Sequence, residues 1–129
     1  MYFLAIEITK RKLVAEQYWA NLSGLPGIQV CKPTANVKSN YAYLPVVFED
    51  EFGAKRDEVF DALAQKEIGT RKYFYPLISD FECYRDQFNS DRTPIAQYVA
   101  AHVLTLPMYA DLALEDVDKI CEIVIECKK

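Results

Sequence analysis

Four stretches of helical periodicity alternate with short runs of aromatic and β-branched residues, an order that leaves few folds open to the chain. Leu4, Ile8, Ala15, Tyr18, Trp19 and Leu22 recur at steps of three, four and seven, the signature of one side of a helix. Lys10, Arg11, Lys12, Glu16 and Gln17 fill much of the other side, and the glycines and proline of SGLPGI at 23–28 end the pattern. NYAYLPVVFED from Asn40 reads as a strand, with Pro45 pointing to an edge or a bulge. KRDEVFDALAQKEI then places Val59, Phe60, Leu63 and Ala64 on one side of a second helix, with Asp57 and Glu58 in early turns where acidic residues suit the dipole.

TRKYFYPL, residues 70–77, reads as another strand. Ile78–Arg92 has no clear period, and Thr93-Pro94 opens a third helix through IAQYVAAHV, with the threonine as its expected cap. A short strand leads to Pro107, and Val117, Ile120, Cys121 and Val124 mark a C-terminal amphipathic helix. The order predicts an α+β fold over residues 1–129: one small domain, its sheet mostly antiparallel, its helices packed mainly on one face. Tyr43, Val46, Phe60, Leu63, Phe74, Val99, Ile120 and Val124 are the expected core.

At 129 residues the chain fits one domain with a core of its own. A net charge of −4 argues against nucleic acid, and no run approaches the length of a membrane span; the start MYFLAIEITK lacks the features of a signal peptide, which places the chain in the cytoplasm. Cys31, Cys83, Cys121 and Cys127 form no C-x-x-C pair, and the single His102 does not complete a zinc set with them. They read as free thiols, buried or half-buried, with Cys121 and Cys127 on different faces of one helix. The acidic FEDE at 48–51 reads as a solvated turn rather than a metal site. There is no glycine-rich phosphate loop, G-x-S-x-G elbow or H-E-x-x-H, and His102, on a helix flank, reads as structural. No catalytic, cofactor-binding or metal residue is assigned.

RKYFYPL at 71–77 stands apart. As a strand it aligns Arg71, Tyr73 and Tyr75 on one face and sends Phe74 into the core, with Lys72 turned away from the three. It is either a half-exposed strand or the rim of a ligand site, since tyrosine hydroxyls and a guanidinium suit hydroxylated or phosphorylated ligands.

In order and spacing, KRKLVAEQYWANLSGLPGIQV, NYAYLPVVF, RDEVFDALAQKEIGTRKYFYPLISDFECY and PIAQYVAAHVLTLPMYADLALEDVDKICEIV resemble the C-terminal small domain of the DegT-type sugar aminotransferases. RKYFYPL and VLTLPMY are the most specific pieces. The resemblance implies a pyridoxal phosphate (PLP) enzyme that aminates a keto-sugar on a nucleoside diphosphate, with glutamate as donor. It implies that the Schiff-base lysine, the aspartate facing the pyridine nitrogen and most of the phosphate cup lie in a large N-terminal domain. Residues 1–24 would then be a helix continuing from that domain, and Arg71, Tyr73 and Tyr75 would face the substrate.

Two departures stand out: Ile78 where the family often has histidine after the Pro-Leu pair, and Ala113 where serine or threonine usually caps the last helix, with Asp111 as the expected substitute. On this reading the chain alone holds no PLP. Its first helix bares an apolar strip around Tyr2, Phe3 and Ile6 and promotes homo-oligomers. The rival is a stand-alone α+β module that binds a ligand or protein without catalysis; a complete small enzyme using its tyrosines as acid and base is the third possibility.

Overall fold

The structure, a computed structural model, describes residues 2–129, and of Tyr2 the backbone only, so the expectation for the Tyr2 side chain lies outside the described residues. The element order is α1 (Tyr2–Leu22), β1 (Ile28–Val30), β2 (Leu44–Phe48), α2 (Arg56–Gln65), α3 (Pro94–His102), β3 (Val103–Leu106) and α4 (Leu114–Glu126). The three strands form one antiparallel sheet in the order β1-β2-β3. Helices pack against it, with α1 and α2 both meeting α4, and the fold is the expected α+β arrangement.

The helical steps of α1 bury Val14, Ala15, Tyr18 and Leu22, whereas Phe3, Leu4, Ile6 and Leu13 stay exposed. Two polar ties hold α1 to α4: Gln17 Nε2 and Asn21 Nδ2 both donate to Asp118 Oδ1, at 2.7 and 2.6 Å. These amides hold the Asp118 carboxyl below the usual carboxylate range. Tyr18 is fully buried and keeps its hydroxyl satisfied by donating to the Pro107 carbonyl at 2.9 Å.

Pro45 lies in the central strand, not at an edge. In an antiparallel ladder one residue sends its N–H and C=O to the same side. The Pro45 carbonyl accepts from Cys31 N at 3.3 Å, one residue past the end of β1, so the missing amide also faces that end and costs no bond to β3. Thr105, opposite Pro45, turns its own backbone outward to Arg71: Arg71 N donates to Thr105 O at 3.2 Å and Thr105 N to Arg71 O at 2.8 Å.

Gly27 is fixed by a neighbour. Its φ of +74° favours glycine, and a Cβ there would overlap the backbone of Phe52, whose ring is buried against Phe48. Phe48 and Phe52 turn inward at either end of the FEDE segment, which runs into a short 3-10 turn, Asp50–Phe52. Among the described residues no group of His, Cys, Asp or Glu is placed to hold a metal ion.

Of the expected core, Val46, Leu63, Ile120 and Val124 are buried and Phe60 is half-buried. Tyr43, Phe74 and Val99 are exposed instead. Tyr43 precedes β2, and Phe74 sits in a turn. In α3 the buried residue is Ala100, which turns Val99 outward. Two of the four cysteines, Cys31 and Cys83, are exposed rather than buried. The caps differ as well. Thr93 Oγ1 donates back to Ser90 O at 3.1 Å and caps no amide of α3, and Asp111 pairs with Lys10 at 2.8 Å, leaving Ala113 as the uncapped start of α4. No helix of the described residues is long and apolar enough to cross a membrane.

Candidate functional site

Residues 70–77 do not form the expected strand. Arg71 makes a single bridge to Thr105, and the chain then turns at Tyr73-Phe74, where Phe74 has a φ of 48°, before a cis Tyr75-Pro76 bond. That turn breaks the alternation that would have aligned Arg71, Tyr73 and Tyr75 and buried Phe74. Phe74 is 75% exposed.

The three residues consequently part company. Arg71 is exposed and lines a small cavity of about 190 Å³ with Tyr43, Thr70, Thr105 and Met108. Tyr73 is half-buried, its ring centroid 5.7 Å from that of Tyr43 and 4.3 Å from that of Phe74. Tyr75 lines a different and larger cavity, of about 1260 Å³, with Phe74, Ile78, Phe81, Tyr84 and Arg92 among its walls. Ile78 faces this space and presents a hydrocarbon surface to it.

Beneath Tyr75 lies a charged cluster. Arg56, at the start of α2, is 3% exposed, and its guanidinium carbon sits 4.8 Å from the Tyr75 ring centroid. Its Nε donates to Asp57 Oδ1 at 2.7 Å and its Nη1 to the carbonyls of Ala100 and Val103 at 3.0 and 3.2 Å. Lys72 Nζ also reaches Asp57 Oδ1, at 2.7 Å, and lies 4.9 Å from the Phe60 ring and 5.7 Å from the Tyr75 ring. Lys72 is therefore not turned away from Tyr75, because the turn at 73–74 brings the ring back over it. The Lys72 hydrogen bond, followed by the charge and hydrogen bond of Arg56, holds the Asp57 carboxyl below its ordinary range against the opposing effect of burial.

Arg56 is not among the expected site residues, although Arg56, Val59 and Leu63 share one helix face at steps of three and four. An arginine in register with two buried apolar residues is the signal that could have found it. His102 ends α3, stacked on Tyr98 at 4.0 Å with Nδ1 2.6 Å from the Tyr98 carbonyl.

The fold is shared with solved sugar-aminotransferase structures. DesI, determined in the presence of its TDP-sugar product, superposes with a TM-score of 0.86 at 27% identity over 94% of this chain and 31% of that one. PseC of Helicobacter pylori, an aminotransferase involved in the biosynthesis of pseudoaminic acid, shares the fold at a TM-score of 0.82 and 22% identity over 95% of this chain and 33% of that one. Residues 2–125 match the DegT/DnrJ/EryC1/StrS aminotransferase family, and the chain belongs to it.

Among proteins of assigned activity, the chain is similar to the dTDP-4-amino-4,6-dideoxy-D-glucose transaminases of Escherichia coli and Shigella dysenteriae. It is 42% identical to the first over 120 residues, which are 92% of this chain and 32% of that protein. It is 34% identical to the second over 111 residues, 86% of this chain and 30% of that protein. The chain thus spans about a third of the length of these relatives.

Proposed function

We propose that this chain is the C-terminal small domain of a PLP-dependent aminotransferase that aminates a keto-sugar carried on a nucleoside diphosphate, with glutamate as the amino donor. The observation that carries this reading is the family match along residues 2–125, joined to relatives that act on a dTDP-sugar. The enzyme would work in the cytoplasm, as a homo-oligomer.

PLP supplies the electron sink for amino transfer when bound. The residues of this chain do not fit it as sole partners. Among the described residues no lysine lines the large cavity, whose cation is Arg92, and the half-buried Lys72 is committed to Asp57. On this proposal the bond-forming lysine belongs to another part of the polypeptide. What this chain contributes is binding and orientation. The Arg71 guanidinium and the Tyr73 and Tyr75 hydroxyls suit phosphate and sugar hydroxyls, and the aromatic wall of residues 74–88 keeps water from the substrate. Because Tyr75 and Arg71 line separate cavities, they would touch different parts of an extended ligand.

The test is to mix the purified chain with PLP, reduce with borohydride and map the labelled lysines by mass spectrometry. Label spread over several surface lysines is the expected result. Stoichiometric labelling of one lysine, with turnover of glutamate and a keto-sugar nucleotide, would show a complete enzyme instead. A stop codon directly ahead of Met1 in the gene would favour the stand-alone module.

A further inference from the structure

We propose that Arg56 is a positioning residue: its buried guanidinium clamps the ring of Tyr75 and so sets the wall of the cavity bounded by residues 74–96. The effect on substrate rests on the aminotransferase reading; the clamp itself does not.

A guanidinium is seldom buried unless each of its donors has a use. Arg56 spends Nε on Asp57 and Nη1 on two carbonyls at the junction of α3 and β3. Those bonds would hold α2 to β3 with no help from Tyr75. The guanidinium carbon also lies over the ring of Tyr75, a residue 53% exposed, at 4.8 Å from the ring centroid. Guanidinium planes stack on aromatic faces in a way an ammonium does not reproduce. Asp57 adds a second constraint, since it fixes Lys72 near the same ring and ties the start of the aromatic segment to α2.

The rest of the segment needs such a tie. Among the described residues, the hydrogen bonds of 77–92 are all local, such as Asp80 N to Leu77 O, Tyr84 N to Phe81 O and Asp91 N to the Asn89 side chain. Between the Arg71 bridge and α3, the tilted ring contact of Tyr73 with Tyr43, the Lys72 ion pair and the Tyr75 contact link the segment to the sheet and α2. Tyr75 is the member of that set that also lines the large cavity. Its orientation carries the position of the anchored helix into the wall that faces the ligand.

The experiment is NMR of the chain, paired with kinetics of the full-length enzyme that contains it. In the unsubstituted chain the Arg56 Nε–H signal is expected upfield, shifted by the Tyr75 ring, and slow to exchange. Tyr75→Leu, a change at an exposed ring, should move that signal downfield while the methyl signals of Val46 and Leu104 stay in place. Arg56→Lys keeps the charge and loses the plane, so the Tyr75 ring signals should collapse to those of a mobile tyrosine. An Arg56 signal that ignores Tyr75→Leu, or Tyr75 signals that ignore Arg56→Lys, would overturn the clamp.

In the full-length enzyme both substitutions should raise KM for the nucleotide sugar by about tenfold and leave kcat within about twofold, the pattern of lost positioning in binding. Reduced kcat at constant KM would contradict the proposed role. If the unsubstituted enzyme transfers no amino group, the aminotransferase reading fails, and the NMR result still decides the clamp.

Discussion

Two sets of aromatic rings meet opposite fates in this chain. Tyr18, Phe48 and Phe52 are essentially removed from solvent, whereas Phe74, Phe81 and Phe88, of the same chemistry, stand in it. The difference lies in the backbone that carries them. Tyr18 hangs on a helix with a partner face on α4, and Phe48 ends the central strand next to the turn that holds Phe52. The second set hangs on a segment of turns whose hydrogen bonds run within itself, so no neighbouring layer closes over it. Hydrophobicity does not bury a ring without a second surface at the right distance. On the proposed function that surface comes from the remainder of the enzyme and its substrate.

The comparison can be broken most directly by truncating one ring from each set. Phe52→Ala should cost about 3–5 kcal/mol in chemical denaturation, the range for a fully buried phenylalanine, and Phe74→Ala no more than about 0.5 kcal/mol. Equal losses would show that the aromatic segment is packed after all.

Alkaline pH probes the buried side alone. Burial pushes the Cys121 thiol up to about 11, so the folded chain holds its proton while the unfolded chain releases it. This contribution is fully present below about pH 8.5, where both forms are protonated, and is lost as pH rises towards 11. A decrease on the order of 2 kcal/mol across that window is expected in denaturation midpoints, with a flatter profile for Cys121→Ala. An unchanged slope in that variant would assign the alkaline sensitivity elsewhere, Tyr18 being the next candidate because burial raises its phenol too.

A smaller effect is expected at Tyr18 itself. Tyr18→Phe removes the hydroxyl that satisfies the Pro107 carbonyl and should lower stability by about 1 kcal/mol, read from the same denaturation curves. Smallest in stability, but visible in sedimentation, is the exposed strip of α1. Leu4→Ser with Leu13→Ser should weaken self-association of the chain and leave its denaturation midpoint nearly unchanged. A parent chain that stays monomeric at high concentration would refute the expected oligomer.

Much of this architecture was legible because helices write their faces into the sequence over many residues. The steps joining Ala15, Tyr18 and Leu22, and those joining Val117, Ile120, Cys121 and Val124, each lead to a buried stripe. β1 went unread, since three residues between Gly27 and Cys31 are too few to display a period. RKYFYPL carries strand composition at full strength, yet the positive φ at Phe74 is a property of its surroundings that composition does not encode. The arrangement of the candidate site was not legible. The Arg71, Tyr73 and Tyr75 positions came from a strand that does not form, and the Arg56 to Tyr75 contact joins residues nineteen apart through a turn with no sequence signature.

The outer edge of β3 has a consequence for how the chain survives its own synthesis. VLTL is wholly buried, rich in β-branched and leucine residues and free of charge, the composition that templates cross-β growth when its edge is bare. Here the outward-facing groups are already taken. Val103 N–H bonds to Val99 O, Val103 C=O accepts from Arg56, and both groups of Thr105 pair with Arg71. A newly made chain is therefore open to fibril-type stacking until α3, Arg56 and Arg71 have docked, and variants that loosen Arg56 would lengthen that interval.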